Sequence, residues 1–421
     1  MLFFVYFYEI HSYIDYFYNV EFLIKNGIII LRRLCERSLY MRKLIAIWVG
    51  KLLAFAGRLF GKKVSSGPGE YALRICPDLV SDLKLHVKKG IVVTCGTNGK
   101  TTTNNLICSA LESKGYKVLC NRLGANMLSG VATAYIEEAN IFGKLSVDYA
   151  CLEIDEAYAR IVYDYVKPDV MVITNLFRDQ LDRYGEVDIT TKVLKDAIAK
   201  VDGLKLILNA DDPLCARFKE MDNATPIFYG VSEPVLEQNN TAKEGKFCPM
   251  CGEALDFNYH HYSQLGDYEC PKCHFKRPDP NVEVKNVSLK TPMSFTINGK
   301  PIQINYKGFY NIYNIIAVYA ALGALGESTD DFSKILDNFK KLCRGKTDVL
   351  TELAAEFNKA TDDGRNMGMY SDLLSKAVDN LIDKKQEVGI ASLFSKGGGI
   401  IDTETFDGIE DFELVSFLIL K

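Results

Sequence analysis

An α/β fold with a mainly parallel sheet is predicted by three features of the sequence. An apolar, β-branched run at residues 91–94 empties into Cys95-Gly96-Thr97-Asn98-Gly99, and Lys100-Thr101-Thr102 opens a helical pattern. Further strand-like runs at 117–120, 147–154, 169–174 and 205–208 alternate with helical stretches such as 104–115. Polar residues collect just after several of these runs, where an open parallel sheet places its ligands.

The chain has 421 residues, enough for two or three domains, and a formal net charge of -4. That balance gives no general nucleic-acid footprint, and no nucleic-acid partner is expected. Residues 1–40 are crowded with Phe and Tyr but broken by Glu9, Asp15 and Glu21, so they offer no uncharged span of the ~20 residues a bilayer crossing needs. They read as an extension ahead of a start at Met41. From Met41, Leu44, Ile45, Trp48, Leu52, Phe55, Leu59 and Phe60 recur at helical spacing, with Lys51, Arg58 and Lys62 largely elsewhere on the wheel. A basic amphipathic helix over 42–63 suits either an anionic membrane surface or packing on its own domain.

The next element is a phosphate cradle. Glycines let the backbone wrap an anion closely, and the amides opening the following helix point at it along a favourable dipole. The spacing is Thr94-x4-Gly99-Lys100-Thr101, with threonine at the usual first glycine and a second glycine at Gly96 instead. In that pattern Lys100 reaches the terminal phosphates of a nucleoside triphosphate and Thr101 holds magnesium. The strand ends that follow carry Glu153, Asp155 and Glu156, then Asn175, Arg178, Asp179, Gln180 and Asp182, then Asn209, Asp211 and Asp212. One such cluster alone reads as a helix cap or a solvated loop. Several in succession behind a phosphate loop point to metal and nucleotide.

Between residues 231 and 280 the alternation stops. Cys248-Pro-Met-Cys251 and Cys270-Pro-Lys-Cys273 are two C-x2-C knuckles, the spacing of a closed tetrahedral zinc site with no open position for chemistry. Either pair alone would suit a redox dithiol; two pairs favour the metal. A full set of four thiolates leaves His260, His261 and His274 no ligand role. The ribbon reads as structural or partner-binding. The remaining cysteines are scattered through apolar runs and read as reduced thiols.

GTNGKTT, the acidic strand end at Glu153, TNLFRDQLD, LNADDP and GFYNIYNIIA stand in the order seen in the Mur ligase superfamily, which the chain resembles. The resemblance implies that Gly96, Thr97, Asn98, Gly99, Lys100, Thr101 and Thr102 hold ATP, and that Asn311 contacts the nucleotide. Thr101 and Glu153 would bind Mg2+, with Lys100 and Glu153 as the catalytic pair. Gln180 stands where a histidine is usual. The four-cysteine ribbon, and too little chain ahead of Gly96 for a nucleotide-sugar-binding domain, make residues 41–342 similar to the synthetase subunits of lipid II isoglutaminyl synthases.

That narrower resemblance implies ATP-dependent activation of the α-carboxylate of D-glutamate in the lipid II stem peptide. Ammonia would come from a GatD-type glutamine amidotransferase partner, with ATP, Mg2+ and Zn2+ bound, on the cytoplasmic side of the membrane. The expected organisation is an extension over 1–40, an ATPase domain over 41–230 and 286–342, a ribbon over 231–285, and a helical tail over 343–421. The tail stands where a further α/β domain is expected, so ATP binding with poor amidation is anticipated. A folylpolyglutamate synthase or an amino-acid-adding Mur ligase shares the ATP motifs but does not explain the ribbon. A non-catalytic ATP-binding scaffold is the remaining alternative.

Overall fold

The computed structural model describes residues 39–59, 65–121, 125–177, 186–236, 247–290, 292–304 and 308–336. The expectations for residues 1–38, for Arg178, Asp179, Gln180 and Asp182, and for the tail from 343 fall outside these.

The chain opens with helices α1 (Leu39–Leu59), α2 (Gly67–Ile75) and α3 (Leu79–Lys84). Strand β1 (Val87–Cys95) leads through the glycine loop into α4 (Lys100–Ser113), followed by β2 (Val118–Cys120), α5 (Leu128–Glu138) and β3 (Val147–Glu153). Next come α6 (Ala159–Tyr165), β4 (Val170–Ile173), α7 (Glu186–Ile198), β5 (Leu204–Asn209), the single turn α8 (Pro213–Ala216) and β6 (Ala224–Val231). A hairpin, β7 (Asp256–His260) with β8 (Gly266–Glu269), precedes β9 (Val282–Ser288), β10 (Met293–Ile297), β11 (Lys300–Ile304) and α9 (Tyr310–Ala324).

These elements form two compact units. Among the described residues, the first takes 39–286, Thr296–Lys300 and Tyr313–Asp330; the second takes Val287–Phe295, Pro301–Ile312 and 331–336. Described residues of the second unit bury Met293, Phe295, Ile302, Ile304, Phe309 and Phe332.

In the first unit the strands run in the order β2-β3-β1-β4-β5-β6, all parallel, with Val282–Val284 of β9 added parallel beside β6. Helices cover both faces of such a sheet, so its strands carry continuous rather than alternating apolar runs. All four residues of β4 and the last six of β1 are accordingly buried. The chain leaves β1 toward β2 and β3 on one side and later places β4 on the other. The carboxyl end of β1 is therefore the point where connections diverge, which is where open α/β sheets form their ligand crevice. The sheet register sets Thr94 opposite Glu153 and Cys95 opposite Ile173, bringing three strand ends to one edge.

Helix α1 divides the apolar face expected of it. Leu44, Ala46, Ile47 and Ala54 are buried where α1 packs on α2 and α5, because small side chains let the helices approach closely. Trp48, Leu52, Phe55 and Leu59 are 48%, 66%, 65% and 72% exposed. Among the described residues no helix is long and apolar enough to cross a membrane.

Candidate functional site

The loop Cys95–Gly99 is held by the end of β4. The Thr97 amide donates to the Asn175 carbonyl at 2.8 Å, and the Asn98 amide to Asn175 Oδ1 at 2.9 Å. In return Asn175 Nδ2 and Thr174 Oγ1 donate to the Asn98 carbonyl at 3.0 and 2.6 Å. Both loop glycines are required by this closeness. Gly96 has φ +128°, and a β-carbon there would lie 2.1 Å from Thr174 Oγ1. Gly99, at φ +79°, caps α4 in the left-handed region, and a β-carbon there would meet Asn314 Oδ1 at 2.3 Å. The first turn of α4 then presents Lys100, Thr101 and Thr102, whose backbone amides have no partner within the helix. Thr102 Oγ1 is buried with no hydrogen-bond partner.

A carboxylate already sits in this cradle. Glu156 Oε1 accepts from the Gly96 amide at 2.6 Å and from Lys100 Nζ at 3.1 Å, so an oxygen anion is held by the groups that a phosphate oxygen would use. The loop is thus shaped and charged for an anion. Asp155, its neighbour, caps the 3-10 turn Glu156–Tyr158 by accepting from the Ala157 amide at 2.9 Å. Glu153 is 4% exposed at the end of β3, its backbone clamped by the Asn121 amide at 2.8 Å in both directions. Glu153, the acid for which the resemblance implies a magnesium role, is thus fixed at the strand end, while the side chain that reaches Lys100 is Glu156, to which the sequence assigns no role of its own.

On helix α9 the asparagine that meets the loop is Asn314. Asn314, three residues beyond Asn311, accepts from Thr103 Oγ1 at 3.3 Å and lies against Gly99. Asn311 belongs to the second unit. The i, i+3 spacing of the two asparagines was visible in the sequence, but the choice between them depends on how the helix is rotated about its axis.

The acids after β5 have another task. Asp211, with a fully buried side chain, accepts from Arg277 Nε at 2.6 Å, from the Tyr313 hydroxyl at 2.7 Å and from the Val231 amide at 2.9 Å. His261 joins this group, with Nδ1 2.6 Å from the Tyr313 hydroxyl and Nε2 2.9 Å from the Glu233 carbonyl; burial pushes its pKa down. Asp212, also fully buried, accepts from the Leu176 and Leu214 amides and from Gln264 Nε2 at 2.8, 2.9 and 2.7 Å, and burial pushes its pKa up. Arg277, His261 and Gln264 all come from the segment between β6 and β9. These acids, read from the sequence as pointing to metal and nucleotide, anchor the inserted module.

Within that module Cys248, Cys251, Cys270 and Cys273 bring all four Sγ atoms within 4.8 Å of one another. Cys248 and Cys273 approach to 3.5 Å, as do Cys251 and Cys270. Backbone amides point at the sulfurs, Met250 N at Cys248 and Cys273 N at Cys270, an arrangement that stabilises thiolates. Burial opposes ionisation of Cys270, yet the amides of Cys273 and Lys272, with the neighbouring thiols, bring its pKa down to about 6. Four soft donors converging at this distance fit a tetrahedral Zn2+ site. Protein purified without chelator is expected to carry about one zinc per chain by elemental analysis, and Cys270→Ser to carry far less. Full occupancy in that variant would rule the site out.

Residues 93–322 match the Mur ligase middle domain. Among known proteins, the chain is 37% identical over 274 residues to the lipid II isoglutaminyl synthase (glutamine-hydrolyzing) subunit MurT of Staphylococcus aureus (strain COL), covering 65% of this chain and 61% of that protein. The protein of the same name from Streptococcus pneumoniae (strain ATCC BAA-255 / R6) is 38% identical over 254 residues, covering 59% of this chain and 55% of its own. The chain therefore spans less than two thirds of either relative. A solved structure of a pseudomurein peptide ligase type C from Methanothermus fervidus superposes with a TM-score of 0.51 at 30% identity, covering 61% of this chain and 50% of that one.

Proposed function

The chain belongs to the Mur ligase family, and on that premise we propose that it uses ATP to activate a carboxylate of a peptidoglycan precursor for amidation. The carboxylate is the α-carboxylate of D-glutamate in the lipid II stem peptide, and its product is D-isoglutamine. The observation that carries this reading is the Glu156 carboxylate held between the Gly96 amide and Lys100, in a cradle that suits a phosphate. The names of the relatives supply the substrate class.

In this reading ATP displaces Glu156. Lys100, the Gly96 to Gly99 amides and the first turn of α4 hold its phosphates, with Thr97, Asn98 and Thr102 lining the loop and Asn311 near the nucleotide. Thr101 and Glu153 are the proposed ligands of Mg2+, which when bound would neutralise charge on the transferring phosphoryl group. The substrate carboxylate oxygen bonds to the γ-phosphorus as the bond to the β-phosphate oxygen breaks, releasing ADP. Ammonia then attacks the acyl phosphate and inorganic phosphate leaves. Such a transfer needs alignment and charge neutralisation more than a strong base. Ammonia would come from a GatD-type glutaminase partner. Residues 41–230 and 286–342 would form the ATPase domain around a Zn2+ ribbon over 231–285.

The deciding assay incubates the protein with ATP, glutamine and lipid II, with and without a GatD-type partner, and follows conversion of carboxylate to amide by mass spectrometry. Amide formed only with the partner supports the reading. Extension by glutamate on folate, or by an amino acid on a precursor, would replace it with a ligase of the same fold; ATP binding without product would leave a scaffold.

With that substrate the protein would work at the cytoplasmic side of the membrane, and residues 42–63 are the proposed point of contact. Support comes from the exposed stripe Trp48, Leu52, Phe55 and Leu59, a Trp-containing apolar face of the kind that lies in a bilayer interface. Anionic vesicles are expected to shift Trp48 fluorescence to the blue, and Leu52→Glu with Phe55→Glu to weaken vesicle binding about tenfold. An unshifted Trp48 spectrum would remove this contact.

A further inference from the structure

A residue of the four-cysteine module is hydrogen-bonded to the segment that holds the phosphate loop. Gln264, in the turn between β7 and β8, is 1% exposed. Its Nε2 donates to the Leu176 carbonyl at 3.0 Å and to Asp212 Oδ1 at 2.7 Å. The other oxygen of Asp212 accepts from the Leu176 amide at 2.8 Å. Both backbone groups of Leu176 are thus fixed, one by Gln264 and one by a carboxylate that Gln264 itself holds. The residues on either side of Leu176 grip the loop. Asn175 takes the amides of Thr97 and Asn98, and the Phe177 amide donates to Thr97 Oγ1 at 3.0 Å.

At its other end the module carries the four cysteines. Strand β8 runs directly from Gly266 to Glu269 and then to Cys270, and its only strand partner among the described residues is β7. A two-stranded hairpin is marginal by itself in water, and a structural metal supplies folding free energy that such a small module lacks.

We propose that the four-cysteine module buttresses the phosphate loop through Gln264, so that zinc bound at the cysteines and ATP bound at the loop favour one another. Gln264 is a positioning residue: it touches neither ligand and acts through Leu176. This rests on the loop being the ATP site, and the test separates the two. The effect must be reciprocal, because a coupling free energy between two sites is the same read from either one.

The experiment uses the full chain. ATP affinity is measured by calorimetry with zinc bound and after chelation, zinc affinity by competition with and without a non-hydrolysable ATP analogue, and hydrogen exchange at the Thr97 and Asn98 amides without nucleotide. In the wild type, zinc removal is expected to weaken ATP about tenfold, and the analogue to tighten zinc by the same factor. Zinc-loaded Gln264→Leu should keep its metal yet bind ATP about tenfold more weakly, exchange faster at Thr97 and Asn98, and respond little further to chelation. The proposal is overturned if wild-type ATP affinity and loop exchange ignore zinc. It is overturned equally if Gln264→Leu shows the full wild-type response, because the coupling then runs through Arg277 and Asp211 instead. Loop exchange that follows zinc and Gln264 in a protein that binds no ATP would leave the buttress standing and remove the nucleotide reading.

Discussion

Lys100→Met is expected to lower turnover in the amidation assay about 100- to 1,000-fold while leaving the chain folded. The substitution keeps the aliphatic stem and removes the ammonium group that lies 3.1 Å from Glu156. Both side chains are largely buried, at 16% and 13% exposed, so Glu156 loses a charged partner at some cost in stability, but the Gly96 amide still donates to it. Catalysis should change greatly, because charge on a transferring phosphoryl group develops where that ammonium would stand. Lys100→Arg should rescue only part of the loss, since a planar fork does not reproduce a compact point charge. Glu156→Gln offers the complementary result: with the resident anion neutralised, ATP should bind at least as tightly as in the wild type. Turnover within threefold of wild type for Lys100→Met would show that the cradle takes no part in the reaction.

The parts of this site that were legible in the sequence are those set by local geometry. A buried β-branched strand, two glycines and a lysine at the head of a helix can hardly be arranged otherwise, and the structure gives Gly96 and Gly99 the positive φ values this requires. The four cysteines were legible because two short knuckles bring their ligands together once the intervening chain folds back. What escaped is set by tertiary placement. Glu153 and Glu156 sit three residues apart, and only the turn after β3 decides which carboxylate faces Lys100. Asn311 and Asn314 share a helix, and its rotation decides which meets Gly99. The stripe on α1 was readable as apolar, but the choice of Ala46, Ile47 and Ala54 as the buried face depends on where α2 and α5 lie. Gln264 carried no signal: a glutamine in a turn is ordinary until its neighbours are known.

Arg277→Met is expected to destabilise the first unit by about 3–5 kcal/mol, a drop of roughly 10 °C in its thermal midpoint. The magnitude follows from what remains rather than from what is removed. Asp211 has a fully buried side chain; the Tyr313 hydroxyl and the Val231 amide still donate to it, but neither carries a charge. Burial works against the charge on Arg277 as well, and Asp211 is what holds the guanidinium firmly protonated. Each ion is tolerable only because the other is present. Asp211→Asn should therefore be costly by itself for the converse reason, and combining it with Arg277→Met should recover much of the loss, since no unpaired charge is then buried. Strict additivity of the two losses would mean that the ions do not act as a pair. The non-additive result would establish that the first acid of LNADDP fastens the segment after Cys273 to the end of β5, and that an acidic strand end behind a phosphate loop can serve the fold rather than the nucleotide.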